Sequence, residues 1–109
     1  MNFIKQAATF FQCLNKKDST CVLECFSDIC VFYDWNNIIT TKPKIYEHYT
    51  NYFSSSVMLV NHIDNMATNG NVVFAQLTVM MDNQKGYNQV YVINYDDNGK
   101  ITRLMRYRQ

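Results

Sequence analysis

Asp34 is a carboxylate beside the only tryptophan, Trp35, at the end of the largely apolar run Ser27-Asp28-Ile29-Cys30-Val31-Phe32-Tyr33-Asp34-Trp35. Residues two apart on a strand share a face, so Asp34 projects with Phe32 and Cys30, and Trp35 with Tyr33 and Val31. A carboxylate among aromatics either reaches water at the strand end or is buried with a shifted pKa. The first alternative makes Asp34 the opening of a turn at Asn36-Asn37. The second makes it a pocket base. Proton transfer between carbons needs a carboxylate dry enough to be basic and a hydrogen-bond donor facing it.

Other residues able to do chemistry are few. His48 flanks the apolar face of a helix, either as a boundary residue or as an acid–base partner of Asp34. His62 falls on a strand with Asn61 and Asp64 and reads as surface. Arg103, Arg106 and Arg108 read as a solvated edge; any that faces inward favours an anionic ligand. Cys13, Cys21, Cys25 and Cys30 contain no CxxC pair. Cys21 and Cys25 share one helix face, where packing explains them. The histidines are remote in sequence, so no metal site is expected and the thiols are expected to be free and mostly buried.

The chain has 109 residues, 48% hydrophobic and 17% charged, which fits one globular domain spanning 1–109. Aromatics reach 15%, with eight Tyr and seven Phe, enough for a deep cavity or a large aromatic core. The net charge of +1 and the lack of a basic run before the final arginines argue against nucleic acid as a partner. No apolar run approaches the ~20 residues that span a bilayer. The first residues lack a leader pattern, so no membrane contact and a cytoplasmic location are expected.

The elements that must position Asp34 follow from periodicity. Asn2 caps a helix whose face is Phe3, Ala7, Phe10 and Leu14. Asp18 caps a short second helix with Cys21, Val22, Cys25 and Phe26 inward. A strand over Ile29–Trp35 follows, and Ile38-Ile39-Thr40 forms a second, brief one. Thr41 caps a third helix, about Lys42 to Phe53, with Pro43 in its first turn and Ile45, Tyr49, Tyr52 and Phe53 on its apolar face. Strands follow over Val57–Met66, Val72–Met81, Tyr87–Tyr95 and Lys100–Arg108, the first two joined at Asn69-Gly70. Three helices and then a four-strand meander make an α+β fold with helices on one face of a curved antiparallel sheet.

Certain residues, in order, resemble a known family. They are Phe11 through Leu14-Asn15-x-x-Asp18, then Phe26-Ser27-Asp28 ahead of Val31 and Asp34, then Thr41 to Tyr49, and last Asp97-Asn98-Gly99-Lys100-Ile101 before Arg103. The chain resembles the nuclear transport factor 2-like superfamily, in its SnoaL-like and ketosteroid isomerase-like branch. The resemblance implies a cone-shaped, cystatin-like fold, its sheet wrapped around the N-terminal helix with a pocket at the open end. It also puts the family's general base on Asp34. The family's oxyanion tyrosine falls on Phe10, which has no hydroxyl, and its protonated aspartate falls near Tyr91, a phenol. If the face assignment slips by one residue, Tyr33 takes the donor's place.

Two functions remain open on these residues. One is an isomerase, cyclase or dehydratase for a small hydrophobic carbonyl compound, with Asp34 as base, Tyr91 as donor and no cofactor. The other is a ligand- or partner-binding module of the same fold. Either predicts a pocket lined by Phe10, Leu14, Phe32, Trp35, His48, Tyr49 and Phe53. Val72, Phe74, Met80, Val90 and Val92 fall on faces opposite the expected core, which predicts a homodimer through the outer face of the sheet.

Overall fold

The computed structural model describes residues 1–34, 37–54, 59–82 and 84–108. Asn2 caps α1 (Phe3–Asn15) by accepting from the Lys5 N–H, and Asp18 caps α2 (Ser19–Glu24) by accepting from Cys21. Strand β1 (Phe26–Asp34) and the short β2 (Asn37–Ile39) lead into α3 (Lys42–Phe53), with Thr41 at its N-cap and Pro43 in its first turn. Four strands follow: β3 (Leu59–Asn69), β4 (Val72–Met81), β5 (Gln84–Tyr95) and β6 (Ile101–Arg108). Strand β5 begins three residues before the expected Tyr87. Between β3 and β4 the chain reverses at Gly70, whose φ of +61° is one that side-chain-bearing residues rarely adopt.

The four late strands form the expected meander, but the sheet has six strands in the order β2-β1-β6-β5-β4-β3. The addition comes from β1, which pairs parallel with β6 and antiparallel with β2. The helices cover one face. Helix α1 packs on β3 and β4, α3 on β1, and α2 lies against both helices. Phe10, Phe32, Ile45, Val73, Ile93, Ile101 and Leu104 are fully buried between the layers.

On the opposite face, one apolar row crosses the whole sheet: Ala67, Phe74, Val92, Met105, Tyr33 and Ile38 are successive cross-strand neighbours. Phe74 is 43% exposed and Ile38 66%. The expected two-sided apolar character of the strands is therefore real. Tyr33 belongs to this outer row, with the Arg103 guanidinium 5.3 Å from its ring centre, so it is no donor to Asp34.

Two features tie α1 to its surroundings. The Asn15 side chain imitates a strand at the free edge of β3: the Asn61 N–H donates to Asn15 Oδ1 at 2.8 Å, and Asn15 Nδ2 donates to the Asn61 carbonyl at 2.9 Å. Asn15→Ala is expected to cost about 1–3 kcal/mol, because it strands a backbone donor and acceptor together. Urea unfolding measures this, and a loss within error means that water replaces the amide.

The second tie is a disulfide between Cys13 and Cys21, which corrects the expectation of free thiols at these positions. Lys17, at φ 56°, reverses the chain between α1 and α2 and leaves the two Cα atoms 5.5 Å apart, inside the range a disulfide spans. Cys25 and Cys30 are free. Disulfides form and persist most readily in oxidising surroundings. Among the described residues, no helix is long and apolar enough to cross a membrane.

Candidate active site

Asp34 ends β1 on the core face, with Cys30 and Phe32, as strand alternation predicts. It is 5% exposed. The parallel register sets Arg106 of β6 beside it, and the antiparallel register sets Tyr91 of β5 beside Arg106. Helix α3 adds His48 from above. Asp34 Oδ2 lies 3.5 Å from His48 Nε2 and 3.6 Å from Arg106 Nη1. Asp34 Oδ1 and His48 Nε2 are buried with no hydrogen-bond partner.

Arg106 is the hub. Its Nε donates to Gln89 Oε1, diagonally across the β5–β6 ladder, and its Nη2 reaches the Tyr87 hydroxyl at 3.5 Å. The Tyr52 ring lies under the guanidinium at 5.9 Å. Thus Arg106, the one buried arginine of the three, is paired with Asp34 and framed by aromatics. Arg108 stacks on Tyr87 at the strand end, 3.8 Å from the ring centre.

These surroundings tune Asp34, His48, Tyr49, Tyr52 and Tyr91. Burial pushes the Asp34 carboxyl above the ordinary aspartate range, while Arg106 and then His48 draw it part of the way back. Burial lowers His48, against the pull of Asp34, so the imidazole is neutral at pH 7. Tyr49 and Tyr91 are raised by burial and lie close enough to feel the charges of both Asp34 and Arg106. Tyr52 is pushed up to about 12 by burial. The phenols therefore keep their protons and can serve as donors, and the Tyr49 hydroxyl has no partner.

Asp34, Phe32, His48, Tyr49 and Tyr91 do meet. The His48 ring lies 5.1 Å from Phe32 and 5.2 Å from Tyr49. Phe10 packs edge-on against Tyr91 at 6.3 Å and Phe53 lies against Tyr49. Leu14 belongs to the same core cluster. Trp35 lies outside the described residues. Among the described residues of the expected lining, His48 also faces an open groove of about 380 Å³, which it shares with Ile38, Ile39, Lys44 and Glu47. His48 thus stands between this groove and the Asp34 carboxylate. His62 is exposed on β3, as expected.

Arg106, read from the sequence as part of a solvated edge, and Gln89, which that reading did not single out, are the added members of this cluster. Alternation along β6 carries the signal for Arg106: Leu104, fully buried, is two residues before it. For Gln89 the same signal lies two residues before Tyr91.

No family model matches the chain, and no curated protein does. Among solved structures it is similar to an uncharacterised cystatin-fold protein from Novosphingobium aromaticivorans, with a TM-score of 0.85 at 14% identity over 99% of both chains. The epoxide hydrolase/cyclase-like enzyme SalBIII of pyran ring formation in salinomycin gives 0.85 at 17% identity, over 98% of this chain and 90% of that one. An NTF2-like protein of unknown function from Cytophaga hutchinsonii gives 0.81 at 13% identity, over 100% and 91%. At such identities likeness speaks to architecture alone, and by that measure the chain has the nuclear transport factor 2-like, cystatin-type fold that its sequence resembles.

Proposed function

We propose that the protein is a cofactor-independent isomerase, cyclase or dehydratase for a small hydrophobic carbonyl compound, with Asp34 as general base. One observation carries this reading. A buried carboxylate, more basic than an ordinary aspartate, keeps one oxygen unpartnered and holds the other beside a guanidinium and a neutral imidazole. Asp34 Oδ1 takes a proton from the carbon next to the carbonyl. The electron pair moves to the carbonyl oxygen, where Arg106 and the phenol of Tyr91 offset the developing charge. His48, between Asp34 and the open groove, exchanges that proton with solvent. SalBIII, an epoxide hydrolase/cyclase-like enzyme on this fold, gives precedent for ring chemistry by analogy only.

The second reading, a binding module without chemistry, is favoured by a different observation. Phe10, Leu14, Phe32, Tyr49 and Tyr91 are each under 5% exposed within the core cluster. A panel of cyclic enones and ketones in D₂O separates the two readings. Deuterium entering the α-carbon of a panel member, followed by proton NMR, supports the enzyme. Ligands that bind without exchange support the module instead.

As a second element of the reading, the apolar outer row is covered by another copy of the chain, giving a two-fold dimer. A stable interface of this kind buries ~800 Å² per partner. Val90 lies on that face between Gln76 and Tyr107. Val90→Lys is expected to give a folded monomer by light scattering, since it sets like charges near the axis. A native protein that already runs as a monomer at micromolar concentration ends the dimer proposal.

A further inference from the structure

Away from Asp34, a groove of about 210 Å³ between the helix pair and the β5–β6 turn gathers the Cys13–Cys21 disulfide and the free thiol of Cys25. Tyr95 lines it as well, 2% exposed and with a hydroxyl that has no partner. Lys100 and Glu24 bring one charge of each sign to its wall, and the Lys100 ammonium is anchored 2.7 Å from the Glu24 carbonyl. An electrophilic disulfide, an unused buried hydroxyl and two opposite charges in one concavity are the complement of a small zwitterionic thiol.

We propose that this groove is a thiol-exchange site for such a thiol, free cysteine being the simplest. Lys100 takes its carboxylate, Glu24 its ammonium group, and the Tyr95 hydroxyl donates to the carboxylate or to a sulfur. Cys21 is the sulfur attacked, because it is half-exposed while Cys13 is buried. The incoming thiolate forms a bond to Cys21 Sγ as the Cys13–Cys21 bond breaks. Cys13 leaves with the electron pair and takes a proton from water. One disulfide replaces another, so no oxidant or reductant beyond the thiol is needed. Cys25 does not compete: its thiol donates to the Cys21 carbonyl at 3.4 Å, and burial keeps it protonated. The exchange unties α1 from α2, so the link between the helices follows the thiols that surround the protein.

The test treats air-oxidised protein with L-cysteine, 3-mercaptopropionate, cysteamine and 2-mercaptoethanol at matched thiolate concentration. Acid-quenched samples are read by intact mass and peptide mapping, with urea-unfolded protein as the reference for each thiol. The expected result is one adduct on Cys21 with Cys13 free, and L-cysteine favoured over the others relative to the unfolded reference. Lys100→Glu should reduce that preference for L-cysteine and for 3-mercaptopropionate by about fivefold, the top of the range for an exposed charge pair. Glu24→Gln should slow L-cysteine but not 3-mercaptopropionate. A purified oxidised protein without the Cys13–Cys21 bond overturns the proposal. So does an adduct on Cys13, Cys25 or Cys30 in place of Cys21, or a thiol preference identical in folded and unfolded protein.

Discussion

Asp34→Asn is expected to lower proton exchange on an activated ketone by about 10²–10⁴-fold, the usual contribution of a positioned general base. The substitution keeps the shape of the side chain and an acceptor oxygen for Arg106. It removes the negative charge and the proton-accepting capacity. Its effect on stability combines two opposed changes: the carboxylate no longer has to be buried, and Arg106 loses its ion pair. The fold should therefore survive, which circular dichroism and a thermal melt check on the sample used for kinetics. NMR exchange rates in D₂O give the chemical result. An unchanged rate in a folded variant excludes Asp34 as the base and moves the chemistry, if any, to another group.

Arg106→Met is expected to destabilise the protein by about 3–5 kcal/mol at pH 7, the usual effect of removing one partner from a buried ion pair. Asp34 would stay buried without its cation, and Gln89 and Tyr87 would lose their donor. The loss should depend on pH in a definite direction. Asp34 is already raised by burial, and Arg106 is the largest effect holding it down, so the variant raises it further. Over the window between the unfolded value, ~3.9, and the raised folded one, the folded state holds a proton that the unfolded state has released. Stability then falls as pH rises through that window and returns as pH falls below it. His48 acts oppositely in the native protein. Its folded value is lowered, so below about pH 6.5 the unfolded state binds the extra proton and stability falls with falling pH. Urea unfolding of both proteins from pH 4 to 8 measures these slopes. The gap between variant and native protein should narrow toward pH 4, and Asp34→Asn in the same chain should recover part of the loss at pH 7. A loss below about 1 kcal/mol with no pH dependence means that the pair is not buried as described.

Local patterns in the chain carried most of the elements. Asn2 and Asp18 cap the first two helices because a short polar side chain before an apolar period can accept an orphan backbone N–H. Lys42–Phe53 and Val72–Met81 have the bounds read from Pro43, the serine run and the Asn-Gly turn. The face of Asp34 was legible too, since alternation on a strand needs no knowledge of its neighbours. Phe74 and Val92 of the outer apolar row were legible for the same reason, whereas Ala67, Met105, Tyr33 and Ile38 join that row only through the sheet order.

Partners distant in sequence were not legible. Strand β1 pairs parallel with β6, about seventy residues later, and nothing in either strand specifies that neighbour or its register. Yet that register alone puts Arg106 beside Asp34 and turns one of three apparently solvated arginines into the centre of the site. His48 reaches Asp34 only because α3 packs on β1. Cys13 and Cys21 meet only because the chain reverses at Lys17 between two helices. The sequence by itself determined the helices, the late meander and the side of its strand that Asp34 shares with Cys30 and Phe32, which rest on periodicity and capping within a few residues, while the resemblance in fold rests on motifs in order along the chain. The tertiary structure decided the charge pairing, the protonation tendencies and the disulfide. Those depend on distances between groups on separate elements, and sheet register and helix packing fix such distances only once the whole chain has closed.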